Sequence, residues 1–136
     1  METPPRTATG TFTLEMSPPG TAVDGAVDRF GLTKTWRGDI AGSGTGVMLT
    51  GGDPATGLAG YVAIEVVRGT LAGRSGSFLL QQFGDLDLGE ETLYYQVVNG
   101  SGTDQLVGLK GRMDLEIDDQ GFHHYELTYT ITAERP

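Results

Sequence analysis

Apolar and polar residues alternate along most of the chain with a period of two, the pattern of half-buried β-strands. Turn-forming residues, mainly glycine, proline and asparagine, divide the chain into about eight such segments. No segment carries the period of an amphipathic helix. An all-β fold with little helix is therefore predicted, either an antiparallel β-barrel or a β-sandwich, and about eight strands suffice to close a barrel around one small ligand. The clearest inner face, in residues 122–132, carries His123, Tyr125, Leu127, Tyr129 and Ile131.

Three breaks between strands are predicted from turn residues. Pro18-Pro19-Gly20 ends the first strand and begins a loop over residues 17–26, which has room for one short helical turn. Gly42-Ser43-Gly44 is predicted to be a turn. Residues 85–91 are predicted to be an acidic connection between two strands.

Composition narrows the class of protein. A chain of 136 residues suffices for one packed core, so residues 7–133 are predicted to form a single domain after a disordered tail, residues 1–6. The net charge of −9, without a basic stripe, argues against binding to nucleic acid or to an anionic membrane surface, and no apolar run is long enough to span a membrane. The lack of cysteine excludes thiolate catalysis and Cys-ligated metal sites. We expect a cytoplasmic protein without a cofactor or metal.

Polar residues within apolar faces are the most informative signal. Lys34, Gln82 and His123 each share the parity of apolar neighbours on their strands, and Glu65 lies in one of the most apolar stretches of the chain. Because buried charges are rare unless paired, Lys34 and Glu65 are expected to pair inside the barrel. Glu65, Lys34 and His123 are therefore the candidate catalytic acid–base residues. Two alternatives stay open: a structural ion pair with a core histidine, or an outward-facing Glu65 on a strand buried on both faces.

Aromatic residues on the same faces form a second candidate group. They would line a ligand pocket if the barrel interior is open, and they are core residues if it is filled by side chains. The candidate ligand-binding residues are Trp36, Tyr61, Phe78, Gln82, Tyr95 and Tyr125.

Five motifs resemble those of a known family. They are Lys34-x-Trp36-x-Gly38-Asp39, Gly60-Tyr61-Val62-Ala63-Ile64-Glu65, Gly69-x-Leu71-x-Gly73-Arg74-Ser75-Gly76-Ser77-Phe78, Ser101-Gly102-x-x-x-Leu106-x-Gly108-Leu109-x-Gly111 and Gly121-x-His123-x-Tyr125. Across residues 7–131 the combination resembles the bacterial domain-of-unknown-function 3224 family. The resemblance implies an eight-stranded barrel similar to allene oxide cyclase, and oligomeric packing of barrels. The family usually has histidine where this chain has Gln82. If that histidine were a catalytic base, Gln82 could only orient a ligand or hydrogen-bond to it, and the acid–base work would fall to Glu65 or His123.

Three functions are compatible with these residues. A cofactor-independent cyclase or isomerase would use Glu65, tuned by Lys34, on an apolar oxygenated substrate, by analogy with the chemistry of allene oxide cyclase. A non-catalytic carrier or sensor would bind a small apolar ligand in the same cavity. A filled, structural barrel would act through its surface as a homo-oligomer. An acid hydrolase or peptidase is more remote, since it needs two carboxylates together, such as Asp85 with Asp87 or Asp39 with Glu65.

Overall fold

The computed structural model describes residues 4–132, most of which lie in nine β-strands. Two single turns of 3-10 helix, Pro54–Thr56 and Asp104–Leu106, lie between strands. The strands are β1 (Arg6–Met16), β2 (Gly20–Val23), β3 (Val27–Gly38), β4 (Ile40–Asp53), β5 (Leu58–Leu71), β6 (Arg74–Asp87), β7 (Glu90–Val97), β8 (Leu109–Ile117) and β9 (His123–Ile131).

The strands form one antiparallel sheet that closes on itself. From β3 to β9 each strand pairs with the next, β9 pairs with β1, and β1 pairs with β3. β2 pairs with the beginning of β3. The predicted eight-stranded antiparallel β-barrel is therefore confirmed, with β1 and β3 to β9 as its wall. Closure gives the wall strands neighbours on both sides, which removes the exposed edges that an open sheet would present.

Alternating side chains fill the inside of the barrel. In β9, Tyr125, Leu127 and Tyr129 are buried while the residues between them are exposed, as the sequence pattern predicts. Lys34 and Glu65 are buried with the apolar residues, so Glu65 faces inward. The core consists of Ala8, Phe12, Trp36, Ile40, Val67, Leu71, Phe78, Leu80, Tyr95, Val97, Leu106, Leu109, Met113, Tyr125, Leu127 and Tyr129.

The predicted loop over residues 17–26 is wrong in its centre. Gly20–Val23 forms β2, which pairs antiparallel with the beginning of β3. The chain reverses through Asp24 and Gly25, which have φ values of 49° and 68°. Both values lie in the left-handed region, and Asp-Gly is a strong hairpin signal. The strand was missed because four residues are too few to show an alternation.

The other two predicted breaks lie largely within strands. Gly42-Ser43-Gly44 is in β4 and pairs with both β3 and β5, while the chain reverses earlier, at Gly38, whose φ is 104°. The acidic segment 85–91 mostly extends β6 and β7, and the reversal takes place at Leu88 and Gly89. In both cases the residues of a predicted break extend a strand instead, so β4 and β6 each reach 14 residues.

The ends of the chain agree less closely with the predicted boundaries. Arg6, which was predicted to belong to the disordered tail, is the first residue of β1. Residues 1–3 of the predicted tail lie outside the described residues. Residue 133, the predicted end of the domain, lies outside them as well. Within residues 4–132, no helix is long and apolar enough to cross a membrane.

Candidate functional site

A buried lysine–glutamate pair lies on the inner face of the barrel. Lys34 Nζ on β3 is 2.7 Å from Glu65 Oε1 on β5, so the expected pair is present. Lys34 also donates a hydrogen bond to the hydroxyl oxygen of Tyr95 at 2.8 Å, and this hydroxyl donates to Glu65 Oε1 at 3.1 Å. Trp36 Nε1 donates to Glu65 Oε2 at 3.3 Å. We call these four side chains, Lys34, Trp36, Glu65 and Tyr95, the Lys34–Glu65 cluster.

Aromatic rings surround the ammonium group of this cluster. Lys34 Nζ lies 4.4 Å from the ring centroid of Phe12, 5.2 Å from that of Tyr95 and 5.4 Å from that of Trp36. These distances are within the range of cation–π attraction, which is strongest for a desolvated cation. Lys34 is 6% exposed and Glu65 5% exposed, so water contributes little to their solvation. The ion pair, the hydroxyl and the rings together replace the lost water.

Burial is the main influence on the pKa values of Lys34 and Tyr95. It lowers the pKa of Lys34, while the charge of Glu65 and the hydrogen bond to it act in the opposite direction. Burial also raises the pKa of Tyr95 well above its usual value, and the adjacent carboxylate raises this pKa further. The Tyr95 hydroxyl is consequently protonated at neutral pH, and it can donate a hydrogen bond to Glu65 while accepting one from Lys34.

Two glycines in β4 make room for the carboxylate. Gly44 pairs with Lys34 on one side and with Val67 on the other, so a side chain at this position would point into the cluster. A Cβ atom on Gly44 would collide with Glu65 Oε2 and with Trp36 Nε1, and a Cβ atom on Gly46 would collide with the Ile64 carbonyl oxygen and with Cα and Cβ of Glu65. The glycines at these two positions of β4 therefore create the space that the Glu65 side chain occupies.

His123 is separated from the Lys34–Glu65 cluster by the Phe12 ring. The His123 ring stacks on Phe12 with centroids 4.9 Å apart, and Phe12 in turn contacts Lys34 Nζ through its π face. His123 is half-buried. Burial lowers its pKa, and the positive charge of Lys34 lowers it further, so the neutral imidazole is favoured at neutral pH. Of the three predicted catalytic residues, Lys34 and Glu65 are therefore in direct contact, and the Phe12 ring lies between this pair and His123.

Tyr61 and Gln82 form a second polar pair on the inner face. Gln82 Nε2 donates a hydrogen bond to the Tyr61 hydroxyl at 2.6 Å, and both residues are half-buried. Gln82 pairs directly with Tyr95 of the cluster across β6 and β7. Burial raises the pKa of Tyr61, and the hydrogen bond from Gln82 opposes this effect. The Tyr61 ring occupies the space above Gly84, where a Cβ atom would collide with it.

Tyr125 and Phe78 fill the interior on the other side of the cluster. The Tyr125 hydroxyl accepts a hydrogen bond from the Ile40 amide at 2.8 Å and donates to the Arg37 carbonyl at 3.0 Å, which ties the β3–β4 turn to β9. The Tyr125 ring meets Trp36 edge-on with centroids 5.1 Å apart. Phe78 is buried and pairs with Val67 on β5. Of the predicted ligand-binding residues, Tyr61 and Gln82 are the more exposed, and Trp36, Phe78, Tyr95 and Tyr125 are packed in the core.

A groove of about 570 Å³ lies on the outside of the barrel wall. Its lining is uncharged, and Gln82 is the one predicted site residue that borders it. The lining residues are Val47, Leu49, Val62, Ala63, Ile64, Gln81, Gln82, Phe83, Tyr94 and Gln96.

Comparison with known proteins identifies the family. The family model described as "Protein of unknown function (DUF3224)" matches residues 8–129. The chain belongs to the DUF3224 family. The family resemblance expected from the motifs is thereby confirmed. No curated protein matches the chain.

A solved structure of a DUF3224 protein of unknown function from Shewanella oneidensis MR-1 supports the same assignment. The two chains share 38% sequence identity, and their structures agree with a TM-score of 0.87. The match covers 96% of the present chain and 100% of the Shewanella chain. The fold and family of this DUF3224 protein are therefore established, and the likeness to allene oxide cyclase stays a prediction.

Sequence reasoning missed two kinds of residue around the cluster of this DUF3224 protein. Phe12 lies between Lys34 and His123, but an aromatic residue on an apolar face gives no signal that separates it from the rest of the core. Gly44 lies in the segment predicted to be a turn, and no sequence signal singled out Gly46. The spacing Gly42-x-Gly44-x-Gly46 could have identified them, because alternate glycines on a strand next to a buried charge leave space on the inner face.

Proposed function

We propose that this protein binds a small apolar molecule with an accepting oxygen inside one end of the barrel, next to the Lys34–Glu65 cluster. The observation that carries the proposal is a gradient of exposure along the inner face. The buried charges of Lys34 and Glu65 are followed by the half-buried polar residues Tyr61, Gln82 and His123. Half-buried inward residues at a barrel end are the inner polar groups that a ligand can reach from solvent, and small-molecule sites combine apolar walls with a few polar groups.

The roles of the residues follow from their contacts. Tyr61 and Gln82 would hydrogen-bond the ligand oxygen, because each retains polar atoms beyond the one bond between them. His123, which is held neutral by burial and by Lys34, would offer one donor and one acceptor nitrogen. The positive charge of Lys34 lies beneath this layer and would stabilise negative charge on the oxygen. Apolar ketones and lactones are ligands of this chemistry.

A cofactor-independent isomerase or cyclase is the second candidate. It is favoured by the position of Glu65, an inward-facing carboxylate whose Oε1 lies 2.7 Å from the Lys34 ammonium group. A carboxylate of this kind could remove a proton from the carbon next to a carbonyl, while Lys34 stabilises the enolate oxygen. The Asp39–Glu65 form of the acid-hydrolase alternative loses support, because the hydrogen-bond partners of Glu65 are Lys34, Tyr95 and Trp36 rather than a second carboxylate.

Two neighbouring glutamines provide a matched binding experiment. Gln82 faces the inside of β6, although it also borders the outer groove, and Gln81 faces the outside, where it lines that groove. With 2-acetonaphthone, an apolar ketone, as the probe, Gln82→Leu should weaken binding about tenfold, the loss of one hydrogen bond, and Gln81→Leu should leave it unchanged. Binding is measured by amide shifts in ¹H–¹⁵N spectra. Shifts confined to the outer residues, or a loss of binding only in Gln81→Leu, would contradict a site inside the barrel.

Proton transfer separates the carrier from the isomerase. Deuterium incorporation next to the carbonyl of the same ketone is followed by NMR in D₂O. An isomerase should accelerate the incorporation over buffer, and Glu65→Gln should abolish the acceleration while binding persists. A carrier should bind the ketone without any acceleration. Circular dichroism of Glu65→Gln checks that the fold is retained.

A further inference from the structure

One wall of the barrel presents an apolar surface to the outside. Across β4, β5, β6 and β7 the outward residues align in rows, since neighbouring strands pair in continuous register. Val62 and Phe83 are each 48% exposed, Ile64 is 50% exposed and Tyr94 is 55% exposed. We call this surface the outer apolar face; its residues are Thr45, Val47, Leu49, Val62, Ile64, Val66, Leu79, Gln81, Phe83, Tyr94 and Gln96.

The charges at the two ends of this face have opposite signs. Arg68 is the next outward residue after Val66 on β5, and Asp85 is the next outward residue after Phe83 on β6. Both are exposed, and within residues 4–132 neither forms a salt bridge. Asp85 pairs with Gly60 on β5, so Ile64 lies midway between the level of Arg68 and the level of Asp85. The face is therefore basic at one end, uncharged in the middle and acidic at the other end.

We propose that the outer apolar face is the interface of a two-fold symmetric dimer of this chain. A two-fold axis that crosses the strands at Ile64 lays β5 of one copy antiparallel on β5 of the other. Arg68 of one copy then meets the acidic end of its partner, beside the partner's Asp85, and the symmetry produces this contact twice. A chain with a net charge of −9 repels its own copies, and this uncharged surface with complementary ends is where two copies can meet.

The size of the face sets the expected strength of association. Four strands at their usual spacing, over the eight residue steps from Gly60 to Arg68, give a footprint of roughly 500 Å² per copy. The total of roughly 1,000 Å² lies at the lower limit of specific interfaces. A reversible dimer with a micromolar dissociation constant is therefore expected. This inference does not rest on ligand binding inside the barrel, because the residues concerned point to the outside.

Analytical ultracentrifugation over a concentration series tests the dimer. Ile64→Glu places a charge at the centre of the face and should raise the dissociation constant about 30-fold or more. The matched control is Thr13→Glu, which replaces another β-branched residue on an exposed position, in β1 on the opposite side of the barrel. Thr13→Glu should dimerise as the wild type does. A wild type that stays monomeric at all concentrations, or Ile64→Glu that dimerises normally, would overturn the proposal.

A charge exchange tests the antiparallel arrangement. Arg68→Asp should weaken the dimer about tenfold, because two unlike-charge contacts become like-charge contacts. Arg68→Asp combined with Asp85→Arg should restore the wild-type dissociation constant to within about threefold. Failure of the double variant to recover, or a trimer in place of the dimer, would rule out this two-fold arrangement. A monomer that binds 8-anilinonaphthalene-1-sulfonate, and loses it in Ile64→Glu, would show a small apolar molecule on the face instead of a second copy.

Discussion

The Lys34–Glu65 pair shows what can be predicted for single residues. The two residues were predictable, because a charged residue among apolar residues of the same parity breaks the pattern of its strand. Their two other hydrogen-bond partners were not predictable as such. Tyr95 and Trp36 fit the apolar pattern through their rings, and the polar atom of each reveals its role only when the fold brings it to Glu65. The sequence therefore predicts the charges but not the full set of bonds that makes their burial possible.

The network around Glu65 leads to a graded prediction for stability. Lys34→Met leaves a buried carboxylate without its cation and should lower the free energy of unfolding by about 3–5 kcal/mol. Adding Glu65→Leu should recover part of this loss, although the Tyr95 hydroxyl and the Trp36 indole N–H then have no acceptor at Glu65. Adding Tyr95→Phe should recover more. Urea denaturation measures each step.

A surface lysine provides the control for this series. Lys110→Met, at an exposed position of β8, should change the free energy of unfolding by less than about 0.5 kcal/mol. If the double variant is no more stable than Lys34→Met alone, then the uncompensated charge of Glu65 is not the source of the loss.

At the scale of a strand, β4 explains why the predicted boundaries were too short. Its residues Gly42, Gly44 and Gly46 resemble turn residues in the sequence, yet they lie in the middle of a strand that is paired on both sides. Glycine is used here because neighbouring atoms approach closely, and not because the chain turns. Local sequence cannot separate these two uses, since the atoms that fill the space at Gly44 come from Trp36 and Glu65.

Two glycines of β4 provide a direct test of this explanation. Gly44→Ala places a Cβ atom against Glu65 and Trp36, and it should lower the free energy of unfolding by about 1–3 kcal/mol. Gly51→Ala, on the same strand, adds a Cβ atom with nothing within 4 Å and should be neutral or slightly stabilising. Thermal or urea unfolding compares the two variants. Equal losses of stability would mean that a general effect of alanine in β4, and not the space at Gly44, is responsible.

At the scale of the whole molecule, the barrel was predictable, but which distant strands pair and how long each pairing is were not. Eight alternating segments predict a closed sheet, and hairpin turns predict which consecutive strands pair. The pairing of β1 with β3, which closes the ring, has no signal in the sequence because it skips the β2 hairpin. The number of residues that pair between two neighbouring strands was not predictable either. β5 and β6 pair along their whole lengths. Between β7 and β8, by contrast, the described residues form a single backbone pair, Gln96 with Arg112.

This uneven pairing predicts where the closed barrel opens. The segment between β7 and β8 leaves the ring and bonds to β6, where Thr103 Oγ1 accepts from the Ser77 amide and Ser101 Oγ accepts from the Leu79 amide. Fewer ladder hydrogen bonds must break between β7 and β8 than at any joint with a long register, so local opening should begin there. In native-state hydrogen exchange, the β8 amides that point to β7 should exchange well before those that point to β9. Equal protection of the two sets, or earliest exchange where β1 meets β3, would contradict an opening between β7 and β8.

Opening between β7 and β8 would also affect the Lys34–Glu65 cluster, because β7 carries Tyr95. Tyr95 would become mobile, while Lys34 and Glu65 would stay on β3 and β5, which pair with β4 over long registers.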